Sequence, residues 1–325
     1  LLSVHLGIPK LAVHQSLATM HVRYHSSSSD KHPADQFFEE HIEPLKLPHP
    51  IILNPFHLKF FQTRDQTFED VLNREYFLVP IVDQLIRRHD LIEDLAEGEL
   101  VDRKFAPLMA TSGYSGIGKT TMLGFIMDLF NRINIGGEHR SKVVNYLGRF
   151  HQPQTVDKFI NAAAGYIAIP ITFNSHQVWD ESEKKAGLSI WSRAVANVLA
   201  CAGIRETFDT LGLALSRYNV NAGFAMRLLG RMFNKPARDL KLFLCVDEFK
   251  KIKDEDSRVE ILSHIGSSMD QYPRTLALVT SMDPNILDLA ATRSYRPVVR
   301  CSFTPTPSLL TKLDIWPILQ ERPEL

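Results

Sequence analysis

The sequence predicts an α/β fold in three layers, in which a mainly parallel sheet of five strands lies between helices. Short apolar, β-branched segments that suit buried strands alternate with longer segments whose apolar residues recur at helical intervals. Such alternation favours a parallel sheet that is covered by helices. A glycine-rich stretch stands directly between the first of these strands and the helix that follows it. An irregular N-terminal arm precedes this domain.

The composition of the chain is that of a globular protein without an overall charge bias. Of its 325 residues, 44% are hydrophobic, and its 37 basic and 37 acidic residues cancel. This balance excludes a global electrostatic demand for nucleic acid, an acidic membrane or a basic partner, so any such contact has to be local. No apolar run approaches the ~20 residues that a membrane-spanning helix needs, and we therefore expect no membrane span.

The cysteines of the chain are few and far apart. Cys201, Cys245 and Cys301 form no Cys-x-x-Cys pair. They predict neither a disulfide framework nor a zinc site, and we interpret them as core residues. Free thiols indicate a reducing, intracellular compartment, either cytoplasmic or nuclear.

The first 65 residues predict a leader and an arm. Residues 1–29 contain no Asp or Glu and end in a run of serines. This composition is typical of a mitochondrial transit peptide, and a disordered polar leader is the alternative interpretation. Five prolines interrupt residues 30–65 and forbid long regular elements there, which indicates a linker or a wrapping arm. The predicted domain covers residues 66–305, and residues 306–325 form a C-terminal extension that could be truncated.

The elements of the domain follow from its apolar pattern. From Thr67 apolar residues recur at helical intervals, and Pro80 is expected to divide two helices or to kink one. The run "KFAPLMATS", residues 104–112, suits a buried strand. Residues 134–159 are predicted to form a surface insertion. Four later strands are predicted within residues 165–175, 241–248, 275–284 and 297–303.

The stretch "GYSGIGKTT" matches the pattern G-x-x-x-x-G-K-[ST] in full, with a predicted strand before it and a predicted helix after it. Glycines let successive backbone N–H groups point at phosphate oxygens, while the helix N-terminus adds its positive dipole end. Lys119 is expected to reach the β- and γ-phosphates, and the Thr120 hydroxyl to coordinate Mg²⁺. The predicted nucleotide-binding residues are Gly113, Tyr114, Ser115, Gly116, Ile117, Gly118, Lys119, Thr120 and Thr121.

An acidic pair ends the apolar segment "KLFLCVDE", residues 241–248. The carboxyl ends of parallel strands face the ligand crevice, so Asp247 is expected near Mg²⁺, through a water molecule. Glu248 is then positioned as the general base for the attacking water. A metal-dependent nuclease site at Asp247, Glu248 and Lys250 is an alternative, but it needs a further upstream acid, and none is evident.

Further polar residues follow the later strands. Thr280 or Ser281 could sense the γ-phosphate or hold the attacking water, although strand-ending hydroxyls are common without such a role. Arg293 and Arg296 could contact the γ-phosphate of a bound or neighbouring nucleotide, and solvated surface arginines are the alternative. The guanine-reading pattern Asn-Lys-x-Asp is not met, because Ala237 ends "NKPA". ATP is therefore favoured over GTP.

Residues 217–241 are locally basic, with six Lys or Arg residues against Asp239 alone. Such a segment could contact nucleic acid or an acidic partner. The simpler interpretation is the solvated face of helices whose apolar residues pack inward. Those apolar residues are Leu213, Leu215, Phe224, Leu228 and Leu229.

These residues together resemble the additional-strand, catalytic-glutamate division of P-loop NTPases, to which AAA+ and STAND ATPases belong. The resemblance implies a three-layer P-loop NTPase fold. More narrowly, "TSGYSGIGKTT", "IPITFNS", "LFLCVDEF" and "LVTSMDPNIL" resemble the ATPase module of Crinkler-type effectors and of retrotransposon hot-spot proteins. Such modules are often coupled to a C-terminal nuclease-like domain in proteins that can act in the nucleus. Because the chain ends soon after the last predicted strand, we expect the usual helical lid and any effector domain to be missing from it.

The sequence thus predicts an ATP-binding protein that hydrolyses ATP to ADP and phosphate with Mg²⁺. Closure around the nucleotide would be transmitted to a protein partner, to a missing domain or through self-association. The alternative is a non-catalytic, nucleotide-binding structural subunit, for example of a mitochondrial assembly, which the acid-free leader would suit. Both alternatives predict nucleotide binding, and turnover separates them.

Overall fold

The computed structural model describes most of the predicted domain and part of the arm. The described residues are 31–54, 75–94, 103, 106–112, 119–173, 186–204, 208–247, 249–252, 254–281, 283, 285, 288 and 296–301. Within them a five-stranded parallel sheet is packed against helices, which confirms the predicted α/β class and is consistent with three layers. The predicted leader and the C-terminal extension lie outside the described residues.

The sheet contains the five strands that the sequence predicts. They are β1 Leu108–Ser112, β2 Tyr166–Thr172, β3 Lys241–Asp247, β4 Thr275–Ser281 and β5 Val298–Arg300. Their order is β2-β3-β4-β1-β5, and every neighbouring pair is parallel. All strands therefore end at one edge of the sheet, called here the carboxyl edge, and begin at the opposite, amino edge.

Helices occupy most of the remaining described chain. They are α1 Pro33–Phe37, α2 Glu75–Glu93, α3 Lys119–Ile135, α4 Gly137–Leu147, α5 Pro153–Ala163, α6 Ala186–Cys201, α7 Phe208–Leu215, α8 Ala222–Met232 and α9 Glu255–Gln271. One helix, α2, runs continuously through Pro80. Pro80 removes one backbone hydrogen bond, and the buried Phe77, Ile81 and Leu85 hold the helix against the core.

The stretch that was predicted as a surface insertion forms α4 and α5, each of which buries one face. Val143 and Leu147 of α4 and Phe159 and Ile160 of α5 are all buried. Most other residues of the segment are exposed or half-buried, and its few apolar residues recur at helical spacing on one face of each helix. Helix α4 packs against α3, and α5 packs against α2.

The arm is short of regular structure but well packed. Pro33 stands at the start of α1, where a missing N–H costs nothing, and Nδ1 of His32 accepts a hydrogen bond from the backbone N–H of Ala34. The ring of Phe37 is fully buried and lies edge-on to Tyr218 and Phe224, with centroids 5.5 and 6.1 Å away. Residues from His32 onward therefore form one compact unit with the domain.

The basic segment begins after α7 and continues through α8 to the start of β3. Four of the five apolar residues predicted to pack inward are buried: Leu215, Phe224, Leu228 and Leu229. Leu213 is 68% exposed, so the prediction was wrong for that residue. Two of the basic side chains, Arg227 and Arg231, contact the arm, because Nη2 of Arg227 lies 2.6 Å from Oδ2 of Asp35 and Nη1 of Arg231 lies 3.8 Å from Oδ1.

Strand β2 is an outermost strand of the sheet, and side chains donate hydrogen bonds to its outward-facing carbonyls. Asn134 donates to Tyr166 O at 2.8 Å, and Asn197 donates to Pro170 O at 2.8 Å. Nε of Arg193 donates to the carbonyl of the last β2 residue at 3.1 Å. Pro170, which has no N–H, is tolerated because it lies on an edge strand. These caps close the edge to pairing with another strand.

The cysteines and the membrane prediction can be compared directly with the structure. Cys201, Cys245 and Cys301 are free and buried, which confirms that they are core residues. Burial raises the pKa of all three thiols, that of Cys301 to about 12, so none of them is a thiolate at neutral pH. None of the helices in the described ranges has the length and apolar character needed to span a bilayer.

Candidate functional site

The start of α3 meets the carboxyl end of β3. Thr120 is the second residue of α3, and its Oγ1 donates a hydrogen bond to Oδ2 of Asp247 at 2.7 Å. The two residues are 127 positions apart in the sequence. The structure therefore brings together the predicted metal-binding hydroxyl and the predicted metal-binding carboxylate.

A second hydroxyl holds the same carboxylate. Thr280, near the end of β4, donates from Oγ1 to Oδ1 of Asp247 at 2.7 Å. Asp247 is only 2% exposed. A buried carboxylate is costly unless it is hydrogen-bonded, and here each of its oxygens accepts a hydrogen bond from a hydroxyl. The two bonds fix the carboxylate between α3 and β4.

Strand register extends these contacts into a row of four polar side chains. Thr172 of β2 is paired with Asp247, and Thr111 of β1 is paired with Thr280. Paired residues of parallel strands point to the same face of a sheet, and successive residues alternate between faces. The polar row, defined as Thr172, Asp247, Thr280 and Thr111, therefore crosses four strands on the face where α3 begins.

Thr111 is a member of the row that the sequence analysis missed. It is 2% exposed, and among the described residues its Oγ1 has no hydrogen-bond partner. An unpaired buried hydroxyl costs free energy, so this atom can accept a bond from, or donate one to, a group that enters beside it. A hydroxyl at the end of a strand is the same signal that singled out Thr280, and it was overlooked because the glycine-rich stretch follows at once.

Lys119 is the first residue of α3 and is 5% exposed. Ammonium groups are rarely so buried, and the N-terminus of a long helix adds a favourable field for anions. Its position beside Thr120 suits a side chain that holds phosphate oxygens. Thr121, the next predicted contact, is exposed.

Arg193 of α6 is a second residue that the sequence analysis missed. It is fully buried, and its Nη1 donates to the carbonyl and the hydroxyl of Ser189 at 2.8 and 3.1 Å. Its guanidinium also stacks 4.5 Å above the ring centroid of Phe173. Because its Nε binds the carbonyl of Thr172, which pairs with Asp247, Arg193 positions the end of β2 beside the carboxylate.

Ser281 is separated from the polar row. Its side chain is fully buried, and strand alternation directs it to the face opposite Thr280. Its Oγ accepts a hydrogen bond from the backbone N–H of Asp283 at 3.0 Å. Of the two hydroxyls predicted near the γ-phosphate, the structure thus brings Thr280 to Asp247 and uses Ser281 to fix the turn after β4.

Arg296 lies at the amino edge of the sheet, away from the candidate site. Its Nη2 donates to Gly266 O at 2.8 Å and to Oδ1 of Asp270 at 2.6 Å, and its Nη1 donates to Ala106 O. It is 4% exposed. This position corrects the prediction that Arg296 contacts a γ-phosphate. The physical reason is simple: a residue that immediately precedes a parallel strand lies at the amino edge.

The other predicted site residues lie outside the described part of the chain. They are Gly113, Tyr114, Ser115, Gly116, Ile117, Gly118, Glu248 and Arg293. The placement of the phosphate-binding backbone and of the predicted general base therefore stays a prediction.

The described part of the site fits a magnesium ion that is shared with phosphate. Among the described residues no cluster of three or more His, Cys, Asp or Glu side chains could enclose a metal ion. Mg²⁺ does not need one, since it is usually bound by one or two protein oxygens together with phosphate oxygens and water. Thr120 Oγ1 and the Asp247 carboxylate supply oxygen atoms of this kind 2.7 Å apart.

A scan against protein-family models finds no matching family, and searches of curated proteins and of solved structures find no significant match. The resemblance to P-loop NTPases and to Crinkler-type ATPase modules therefore rests on the residues of the chain and stays a prediction.

Proposed function

We propose that this chain binds ATP at the carboxyl edge of its sheet and hydrolyses it to ADP and phosphate with Mg²⁺. The single observation that carries the proposal is the hydrogen-bonded series from Thr120 through Asp247 to Thr280. It joins the helix start that follows the glycine-rich stretch to the acid-tipped strand, which is the juxtaposition that this chemistry needs. ATP is preferred over GTP because the guanine-reading pattern is absent.

Each residue has a distinct proposed role. The backbone of residues 113–118 and the N-terminus of α3 bind the phosphates, and Lys119 neutralises the charge on the β- and γ-phosphates. Thr120 and Asp247 would hold the magnesium ion, which when bound screens the phosphate charge that develops during transfer. Glu248 accepts the proton of the attacking water.

Thr280 is proposed to report the state of the site to the rest of the sheet. Its hydroxyl binds Asp247, and on the same face its strand neighbour Thr111 has a hydroxyl without a hydrogen-bond partner in the described part of the chain. A movement of the Asp247 carboxylate would therefore first affect the positions of β4 and β1. Because β1 leads into the glycine-rich stretch, phosphate binding there would be coupled to the positions of β1 and β4. The resulting change in strand position would be transmitted to a protein partner or to a second copy of the chain.

The test is nucleotide binding and turnover by the full chain with Mg²⁺. Wild type should bind and hydrolyse ATP, and Lys119→Ala should lose both. Glu248→Gln should bind ATP as tightly as wild type and lose about 10²-fold or more in turnover, because only the general base is removed.

Two outcomes would contradict the enzyme proposal. Tight ATP binding with negligible wild-type turnover would favour the non-catalytic structural subunit. Unchanged hydrolysis by Glu248→Gln would remove that residue from its role. Absence of nucleotide binding by the wild type would overturn both alternatives.

A further inference from the structure

Basic side chains gather at the amino edge of the sheet, which the proposed ATP site does not use. The basic ridge is defined as Arg227 and Arg231 of α8, Lys235 and Arg238 in the connection after α8, Lys241 at the start of β3, and Arg274 immediately before β4. The chain as a whole has no net charge. The ridge is therefore a local concentration of positive charge and not a consequence of composition.

The two lysines of the ridge converge above the start of β2. A Cβ atom placed on Gly165 would lie 3.8 Å from Cδ of Lys241 and 4.0 Å from Nζ of Lys235. Burial, followed by the neighbouring charges of Arg274 and Lys235, lowers the pKa of Lys241, and Glu93 opposes this shift. Like charges are thus crowded at this edge.

Few carboxylates offset the ridge. Asp35 pairs with Arg227 and Arg231, which nevertheless stay 51% and 43% exposed. Oδ1 of Asp239 lies 3.9 Å from Nε of Arg238, and both side chains are exposed. Within the described ranges neither Lys235 nor Arg274 forms an ion pair. The carboxylates described as interacting with these cations are those of Asp35, Glu93 and Asp239.

A concave surface adjoins the ridge. It is an open hollow of about 700 Å³, and its lining includes Arg227, Arg231 and Lys235. The half-buried Tyr272 and the exposed amide side chain of Asn234 also line it. The carboxylate of Asp35, which pairs with Arg227 and Arg231, lines the hollow as well. The hollow therefore combines guanidinium and ammonium groups with an aromatic ring, an amide and one carboxylate.

We propose that the basic ridge and its hollow bind a single-stranded nucleic acid. Guanidinium groups present forked donors that match phosphate oxygens, and four of the six cations of the ridge are arginines, of which Arg227 and Arg231 line the hollow. An unpaired base can enter a concave site and stack on an aromatic ring, whereas a base in a duplex cannot. An acidic protein would pair with the charges of the ridge, but it has no base to stack on Tyr272.

This surface is separate from the proposed ATP site. Lys241 and Asp247 are the first and last residues of β3, so the two sites lie at opposite edges of the sheet. At about 3.3 Å per residue the strand separates them by about 20 Å. Nucleic-acid binding therefore does not depend on the proposed ATPase activity, and either proposal can fail alone.

The test measures fluorescence anisotropy of a labelled single strand of about 16 nucleotides with the full chain and no nucleotide. Affinity should fall steeply between about 50 and 200 mM NaCl. The double variant Lys235→Glu/Arg274→Glu should bind about tenfold or more weakly at the lower salt. The slope of log affinity against log salt should be shallower by about 1.4, because two phosphate contacts at about 0.7 each are lost.

The matched control is Arg140→Glu/Lys158→Glu, which makes the same change in charge on α4 and α5. Neither of these cations forms an ion pair within the described ranges, and the control should bind as wild type does. Equal weakening of the control, or binding that is independent of salt, would overturn the proposal. Equal affinity for a duplex of the same length would also overturn it. The same holds if polyglutamate displaces the labelled strand as effectively as unlabelled strand does, because that outcome would indicate an acidic protein partner.

Discussion

Two threonines of the polar row show that the contribution of a buried hydroxyl to stability depends on its hydrogen-bond partner. Thr280 and Thr111 are paired neighbours on one face of the sheet, and both are buried. The hydroxyl of Thr280 satisfies a buried carboxylate, whereas that of Thr111 has no described partner. The same substitution at the two positions therefore separates the stabilisation by a hydrogen bond from the free-energy cost of burying a polar atom.

We expect Thr280→Val to destabilise the nucleotide-free protein by about 1.5–3 kcal/mol, because one oxygen of a buried carboxylate loses its donor. Thr111→Val should be neutral or stabilising by about 1 kcal/mol, because it removes a hydroxyl that pays for burial without a bond. The measurement is urea unfolding of both variants beside wild type. Equal costs at the two positions would contradict the hydrogen-bond pattern described for the polar row.

At the scale of elements, α6 and α9 are joined by a pair whose state depends on pH. Nε1 of Trp191 donates to Nε2 of His264 at 3.1 Å, so that ring nitrogen has to be unprotonated. Burial lowers the pKa of His264. The unfolded chain therefore takes up the proton at a higher pH than the folded chain does, and protonation breaks the contact between the helices.

The sign of the pH dependence follows from that shift. A histidine with a lowered pKa contributes stability that is present above its unfolded pKa, about 6.5, and is lost as the pH falls through the folded pKa. His264→Gln keeps an acceptor for Trp191 but does not titrate. We expect the free energy of unfolding to fall less between pH 7 and pH 5 in this variant than in wild type, measured by urea unfolding.

His151 provides the matched control for that experiment. Burial lowers its pKa as well, but its buried Nε2 has no hydrogen-bond partner among the described residues. His151→Gln should flatten the pH dependence without changing the environment of Trp191. An unchanged pH dependence in His264→Gln would show that the α6–α9 pair does not titrate in this range.

The strands of the sheet could be predicted from the sequence because each is a continuous apolar run. The order β2-β3-β4-β1-β5 could not, since the residues that make a strand apolar do not specify its neighbour. The sequence predicted that Thr120 and Asp247 lie at one site, because a glycine-rich pattern contains the first and an apolar strand ends at the second, but it did not predict their direct hydrogen bond. Arg193 was missed because a buried arginine on a helix looks like a surface residue until its acceptors are known.

At the scale of the whole molecule, β3 connects two proposed binding sites. Its first residue, Lys241, belongs to the basic ridge, and its last, Asp247, belongs to the polar row. All the residues between them are buried, so the strand is a rigid spacer. Ligands at its two ends should therefore stabilise the same folded unit without competing for space.

Linkage converts this arrangement into the last prediction. A ligand that binds only the folded state stabilises it by about 2.7 kcal/mol at a concentration of 100 times its Kd. MgATP at that excess should raise the free energy of unfolding of the wild type by about this amount. The gain should vanish in Lys119→Ala and when EDTA removes Mg²⁺. It should persist in Lys235→Glu/Arg274→Glu, because those residues lie at the opposite edge. Loss of the MgATP effect in this double variant would mean that the two edges are not independent, whereas its survival in Lys119→Ala would move the nucleotide away from the start of α3.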